Sequence, residues 1–140
     1  MNKQQGFTLI ELVMVIVILG ILAATALPKF ASLQGDARRA SINAASGAVK
    51  SAMAIVHAQS LIQGEEGDAT ADVVLEGITI NTVYGYPSVA NIDEAAGVDS
   101  ADYTIDNSGT IVLKANCLVT YVAATSASTA ATATVDSSDC

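Results

Sequence analysis

A single apolar segment near the amino terminus constrains this chain more than any other feature. Residues 7–27 number 21, of which 17 are apolar, and the exceptions are Thr8, Glu11, Gly20 and Thr25. As an α-helix the segment is about 31 Å long, close to the thickness of the hydrocarbon layer of a bilayer. The sequence therefore predicts one membrane-spanning helix, with the single charge of Glu11 inside it.

Charge is divided unevenly along the chain, which has 140 residues and a net charge of −8. Residues 7–57 carry four basic and two acidic groups, a net charge of +2, whereas residues 58–140 carry Lys114 against 12 acids, a net charge of −11. Binding of nucleic acid through a basic surface is therefore not expected. The part outside the apolar segment, about 110 residues, suits one small acidic domain.

The two cysteines, Cys117 and Cys140, are predicted to form a disulfide, because a secreted domain with a small core gains most from such a link. Twenty-two residues lie between them, and closing such a loop removes on the order of 3.5 kcal/mol of unfolded-state entropy in the chain model. Two free thiols, or part of a metal site with His57, are the alternatives. The sequence lacks the C-x-x-C spacing and further histidines that are typical of metal sites.

The first six residues form a short, mostly polar segment. An ordinary secretory signal differs from it, because its apolar stretch precedes the cleavage point. Here the apolar segment follows Gly6. Cleavage after Gly6 leaves the hydrophobic segment on the mature protein. A plain signal anchor is the alternative.

These residues carry a resemblance to a known family. The string Gly6-Phe7-Thr8-Leu9-Ile10-Glu11, followed by an apolar run and then Pro28, resembles the class III signal and amino-terminal helix of a bacterial type IV pilin of type IVa. Farther along, residues 83–87, with the sequence Val-Tyr-Gly-Tyr-Pro, and the terminal Cys140 are similar to the mannose-sensitive haemagglutinin major pilins of Vibrio-like bacteria.

The resemblance implies how the amino terminus is processed and used. A prepilin peptidase is expected to cut between Gly6 and Phe7 and to methylate the new amine of Phe7. Glu11 is then expected to meet the Phe7 amine of a neighbouring subunit during assembly. Physical chemistry favours a role for Glu11 independently, because a carboxylate in an apolar segment is costly unless it is paired. The alternative is a carboxylate that is merely solvated among the lipid headgroups.

The resemblance also implies partners and location. The chain is expected to span the inner membrane once, and the pilus assembly machinery there then polymerises it into a homo-oligomeric surface filament. Its expected function is that of a major pilin in adhesion, surface attachment and biofilm formation, with surface glycans as candidate ligands. The disulfide and the resemblance both place the head outside the cytoplasm. The charges that flank the apolar segment favour the opposite orientation, but only by one charge, so they are outweighed.

Two other function classes stay open at this point. One is a type II secretion pseudopilin or a minor pilin acting in a short periplasmic filament. The other is a monomeric, signal-anchored binding protein, for which Glu11 is dispensable. Sheared cell-surface material separates these classes, because long filaments rich in this chain require a major pilin.

The expected fold is α+β, in four segments. Residues 1–6 form the leader, residues 7–30 the hydrophobic membrane and assembly helix, residues 31–62 the carboxyl-terminal half of the helix, and residues 63–140 the globular head. The helix is expected to kink near Gly20 to Pro28, because glycine and proline cost about 1 and 3 kcal/mol in a helix interior.

In the head, the carboxyl-terminal half of the helix is expected to pack on a roughly four-stranded antiparallel sheet with a disulfide loop at its end. The helix face recurs at three- and four-residue spacing, through Leu33, Ala37, Ala40, Ala44, Ala48, Ala52 and Ile55. The predicted sheet strands are Ile78–Tyr84, Tyr103–Ile105, Thr110–Lys114 and Cys117–Ala123.

The segments between these strands carry turn and loop signals. A loop is predicted for Gln63–Asp72, a turn for Gly85–Pro87, and a short helix capped by Ser88 and ending at Ala96. Residues 123–134 are all Ala, Ser or Thr, which predicts an exposed loop or edge strand.

Nothing in the sequence predicts catalysis, a cofactor or a metal site. The acids group around Glu65–Asp72 and Asp93–Asp102 without the spacing of an EF-hand, so a solvated acidic surface is favoured over a Ca²⁺ site. No P-loop, G-x-S-x-G or H-E-x-x-H motif occurs. The chain is therefore predicted not to be an enzyme.

Overall fold

The structure, a computed structural model, describes residues 7–140, so Gly6 and the residues before it lie outside the described part. The chain has the expected α+β fold. Its elements are α1 (Leu9–Gln63), β1 (Ala71–Leu75), β2 (Ile78–Val83), β3 (Tyr86–Pro87), α2 (Ile92–Ala96), β4 (Thr104–Ile105), β5 (Thr110–Lys114), β6 (Cys117–Val122) and β7 (Thr132–Asp136). It forms two compact units, one ending at Asp36 and one comprising Ala37–Cys140.

In the first unit, α1 continues through both residues that were expected to weaken it. Gly20 has open space where a side chain would stand, and Pro28 lies inside the helix. Between them, the Thr25 hydroxyl donates a hydrogen bond to the Leu22 carbonyl, with an O···O distance of 2.9 Å. The single chain therefore keeps its helix through this stretch, and the kink near Gly20 to Pro28 stays a prediction.

In the second unit, α1 packs against the sheets through a different face from the predicted one. Its buried residues recur at three- and four-residue spacing and are Ile42, Ala45, Ser46, Val49, Ala52, Val56 and Ser60. Of the predicted face only Ala52 is buried, while Ala37, Ala40 and Ala44 are exposed. The larger Ile and Val side chains remove more apolar area from water than alanine, so they decide which face turns inward.

Residues 71–87 form a three-stranded antiparallel sheet in the order β1-β2-β3. Two-residue turns connect its strands, at Glu76-Gly77 and at Tyr84-Gly85, and all four residues have positive φ. This is the backbone that tight hairpins prefer. The predicted turn at Gly85–Pro87 therefore begins one residue earlier and ends at Gly85, and Tyr86 already pairs with Val83 in the sheet.

The second sheet has four antiparallel strands in the order β4-β5-β6-β7. The strands predicted at Thr110–Lys114 and from Cys117 occur as β5 and β6. The predicted loop-or-edge segment ends in the edge strand β7, whose Val135 pairs with Val119 of β6. The head thus contains two sheets in place of the single sheet that was predicted.

The short helix α2 is capped differently from the prediction. Its N-cap is Asn91, without a side-chain capping bond, whereas Ser88 donates its hydroxyl to the Asn91 side-chain oxygen at 3.0 Å. Gly97 ends the helix in a left-handed conformation, and the Val98 N–H donates to the Asp93 carbonyl. This closing pattern is the one that a glycine after a helix usually makes.

The main core lies where the second half of α1 meets the four-stranded sheet. Its larger buried side chains are Ile42, Val49, Ile92, Ile111, Val119 and Tyr121. A second, smaller cluster joins Val56 to Val73 and Ile80 of the three-stranded sheet. The predicted disulfide between Cys117 and Cys140 is present, with the two Cα atoms 5.0 Å apart.

Candidate assembly surface

The amino-terminal end of α1 is closed by a reciprocal pair of hydrogen bonds. The Thr8 N–H donates to a Glu11 carboxylate oxygen at 2.8 Å, and the Glu11 N–H donates to the Thr8 hydroxyl oxygen at 3.3 Å. The Thr8 hydroxyl also donates to the same carboxylate oxygen at 2.7 Å. Thr8 and Glu11 therefore form a capping box, the T-x-x-E pattern that satisfies two free N–H groups at the start of a helix.

The sequence prediction for Glu11 overlooked this capping role, although the Thr8-x-x-Glu11 spacing signals it directly. In the single chain the carboxylate is exposed and already has hydrogen-bond donors from its own turn. One of its oxygens, Oε2, accepts these contacts, and a carboxylate has further lone pairs for an external cation. The exposed carboxylate is accessible to an external cation, and its contact with the Phe7 amine of a neighbouring subunit stays a prediction.

The first turns of α1 expose an unusual amount of apolar surface. Phe7 is 92% exposed, and the following large apolar side chains as far as Leu22 are between 43% and 81% exposed. Among the described residues, α1 is the one helix long and apolar enough to cross a membrane. A continuous apolar surface of this kind marks a membrane or protein contact. Either lipid or the apolar helices of other copies of this chain can bury this surface.

The carboxyl terminus is fixed to the head by more than its disulfide. Arg38 donates to the Cys140 carbonyl oxygen at 3.3 Å, and Lys114 donates to the Asp139 carbonyl oxygen at 3.2 Å. The Asn116 side-chain amide donates to the Asp139 carboxylate at 2.6 Å. The end of the chain is therefore held against both α1 and the β5–β6 turn.

Between β6 and β7, the disulfide-closed segment carries an exposed loop rich in hydroxyl groups. Ser126 and Thr129 form an isolated β-bridge, and their hydroxyl oxygens lie 2.8 Å apart. The hydroxyl oxygens of Ser126 and Ser128 lie 3.1 Å apart. The loop is therefore ordered by its own short polar contacts and contributes mainly Ala131 to the core.

The predicted residues fall into separate places. Phe7 and Glu11 lie close together at the start of α1, Gly20 and Pro28 lie within it, and Gly6 is outside the described residues. No group of three His, Cys, Asp or Glu side chains suited to a metal ion occurs within residues 7–140.

Comparison with known proteins adds to this geometry. A family model described as the prokaryotic N-terminal methylation motif matches residues 1–27. The chain is similar to the type IV narrow pilus major component PilA5 of Thermus thermophilus, with 50% identity over 58 residues, covering 41% of this chain and 50% of that protein. It therefore spans about half the length of that relative.

Two Moraxella proteins extend the comparison. The type IV major alpha-pilin of Moraxella bovis is 32% identical over 121 residues, which covers 83% of this chain and 74% of that protein. A fimbrial protein of Moraxella nonliquefaciens is 70% identical over 30 residues, covering 21% of this chain and 20% of that protein. No solved structure gives a significant match.

Proposed function

Because the chain belongs to the type IV pilin family, we propose that it is the major structural subunit of a type IV pilus. The subunit is stored in the inner membrane, where α1 spans the bilayer, and is then polymerised into a surface filament for attachment and biofilm formation. The observation that carries the proposal is the exposed apolar first half of α1, because a filament of packed helices replaces lipid with sister helices. Relatives described as major pilins support the same assignment.

Processing at the amino terminus is part of the proposal. A prepilin peptidase cuts between Gly6 and Phe7 and methylates the Phe7 amine, as the match to the methylation motif supports. Cleavage at this position leaves α1 and its capping box intact, since the box begins at Thr8. The mature chain then begins one residue before the helix N-cap.

In assembly, Glu11 of one subunit meets the Phe7 amine of its neighbour. A carboxylate entering an apolar bundle needs a cation, because a buried unpaired charge is strongly unfavourable. The capping bonds from Thr8 hold the carboxylate near the start of the helix. The contact sets the relative height of adjacent helices as well as satisfying the charge.

The narrower resemblance to the mannose-sensitive haemagglutinin pilins also stays a proposal. Its support is the Val83–Pro87 string and the terminal Cys140, which in the structure belong to a hairpin turn and to the disulfide. Surface glycans are proposed ligands of the assembled fibre, and binding of sheared fibres to a glycan array tests them.

The central experiment is electron microscopy and mass spectrometry of fibres sheared from cells that express the chain. We expect long filaments composed mainly of this chain, with a mature mass that begins at methylated Phe7. Absence of the chain from sheared filaments, together with its presence in short periplasmic assemblies, supports a pseudopilin or minor pilin role instead.

A variant tests the processing step separately. Gly6→Ala is expected to leave the leader attached and to prevent filament formation, because the peptidase no longer accepts the cleavage site. The intact mass of the membrane-bound chain gives the result directly. An unchanged mature mass in this variant contradicts cleavage after Gly6.

A further inference from the structure

The second half of α1 has a cationic side. Arg39, Lys50 and Leu61 follow one another at intervals of 11 residues, which return to almost the same direction on an α-helix, within about 20° per interval. Arg39 and Lys50 are exposed, and Leu61 is 53% exposed. We call these three residues the cationic flank. A shallow groove beside Lys50 is lined by His57, Leu61 and Tyr86.

The opposite charge occupies another side of the same unit. Ile55 follows Lys50 by five residues and therefore points about 140° away around the helix. It is 56% exposed and borders an apolar groove with Ile78. The exposed residues Glu76 and Glu94 line the same groove. We call Ile55, Glu76, Ile78 and Glu94 the acidic flank.

The charge of the acidic flank extends beyond the groove. Glu94 also lines a neighbouring depression together with Asp93 and Asp99. Glu76 is in the β1–β2 turn, and Glu94 is in α2. Two separate elements therefore place carboxylates at one apolar groove. A patch with this composition favours a partner that presents cations beside apolar side chains, as the cationic flank does.

We propose that the cationic flank of one subunit docks on the acidic flank of the next. The inference rests on the proposed function, since it names the contact by which heads of adjacent subunits meet in the filament. Two cationic flanks repel each other, as do two acidic flanks, so a closed symmetric dimer through either flank is unfavourable. A contact between two different surfaces generates a ring when its rotation closes and an open helical assembly when it does not, and a filament requires the second case.

Charge reversal tests the contact. Lys50→Glu and Glu94→Lys are each expected to lower the amount of sheared filament at least about tenfold, because a like-charge pair then faces the docking surface. Arg39→Glu and Glu76→Lys are tested in the same way. Lys50→Arg is the matched control and is expected to retain wild-type amounts. Membrane-bound chain with an intact disulfide is measured in each strain to exclude misfolding.

Combining the charge reversals shows whether the contact lies between subunits, because matched reversals are expected to restore filaments. In a chain carrying both Lys50→Glu and Glu94→Lys, each subunit again presents complementary flanks, and filaments return. Co-expression of the two single variants also restores filaments, because alternating subunits match at every contact. A structural defect within one subunit cannot be corrected by a second defective subunit in this way.

The outcomes separate this inference from the proposed function. Filaments of wild-type chain show that it is a pilus subunit, whatever the variants do. If all four reversals assemble like wild type, or if neither the double variant nor co-expression restores assembly, the docking of these flanks is refuted. If wild-type chain forms no filaments, the proposed function itself fails.

Discussion

Glu11 has one role that the structure shows, closing the start of α1, and one that is proposed, pairing with the amine of a neighbouring subunit. Its carboxylate closes the capping box with Thr8, which stabilises the start of the helix in the single chain. Its charge is proposed to attract the Phe7 amine of a neighbour. A capping role needs a hydrogen-bond acceptor at this position, whereas the assembly role needs a negative charge.

Glu11→Gln therefore separates the two roles. Glutamine still completes a capping box, so the variant is expected to insert into the membrane in normal amounts. It lacks the charge, and we expect filaments to be abolished or strongly reduced in sheared fractions. Thr8→Ala is the control, because it weakens the cap by about 1 kcal/mol while leaving the carboxylate. Normal filaments from Glu11→Gln contradict the pairing with Phe7.

Tyr121 is the largest fully buried side chain of the head, and its hydroxyl donates to the Pro87 carbonyl oxygen. This bond joins β6 to the end of the other sheet. Burial raises the pKa of the Tyr121 phenol, and the nearby Tyr86 raises it further. The folded head therefore holds this proton more tightly than the unfolded chain does.

The expected consequence is a loss of stability in alkali. A raised pKa leaves the contribution of Tyr121 intact below about pH 10, the unfolded value, and lowers the free energy of unfolding as the pH rises above it. Tyr121→Phe is expected to cost about 1–2 kcal/mol at neutral pH, because the Pro87 carbonyl loses its donor. Above pH 10 the variant should lose stability less steeply than wild type. Denaturant titrations at several pH values give the free energy of unfolding of both full-length chains. If this free energy falls equally steeply with pH in both, the account is contradicted.

At the scale of elements, the stretch of α1 from Gly20 to Pro28 combines an intact helix with weak local support. Pro28 lacks the N–H that would bond the carbonyl of Ala24, and Gly20 adds conformational freedom. Helical geometry in the single chain does not remove this weakness. The kink near Gly20 to Pro28 stays a prediction, and we expect this stretch to open more easily than the rest of α1 when subunits pack.

Amide hydrogen exchange measures how easily residues 20–28 open in comparison with the rest of α1. We expect amides of residues 20–28 to exchange faster in assembled filaments than amides of residues 42–56, whose helix face is buried in the head. Pro28→Ala restores a donor and is expected to slow exchange in the stretch, in micelles as well as in filaments. Uniform protection along α1 in wild-type filaments argues against a weak stretch.

The elements that the sequence predicted well have strong local signals. Alternating apolar residues mark β2, and the β-branched run Thr110–Lys114 marks β5. The segment that leads into β7 predicts only a loop or an edge strand, because Ala, Ser and Thr carry little hydrophobic signal, and pairing with β6 defines the strand. The buried face of α1 was missed because alanine periodicity runs beside the Ile42–Val56 stripe, and tertiary packing chooses between them.

The functional positions differ in how far the sequence alone identifies them. Gly6, Phe7 and Glu11 form a linear motif, so one stretch of sequence identifies them together. The cationic and acidic flanks are assembled from separated positions of α1, the β1–β2 turn and α2, and only the folded chain brings Glu76 and Glu94 to one groove. Sequence charge counts predicted an acidic head without locating a surface.

At the scale of the molecule, the Cys117–Cys140 link closes the last part of the head. Replacing both residues, as Cys117→Ser with Cys140→Ser, is expected to lower the free energy of unfolding by about 3 kcal/mol, because the unfolded chain regains the entropy of an open loop. Chemical unfolding of the full-length chain in detergent measures the loss, with reduced wild-type chain as the control. An unchanged unfolding midpoint contradicts this contribution.

The same covalent ring contains the exposed hydroxyl-rich loop, with β6 on one side and β7 on the other. A protease that cleaves within residues 125–130 produces two pieces that stay joined through sulfur, and strand pairing holds them in place. The nicked subunit therefore stays one covalent species under non-reducing conditions and separates into two pieces only after reduction. Surface peptides inserted at this point inherit the same protection, which makes the loop a suitable position for displaying foreign sequence on a fibre.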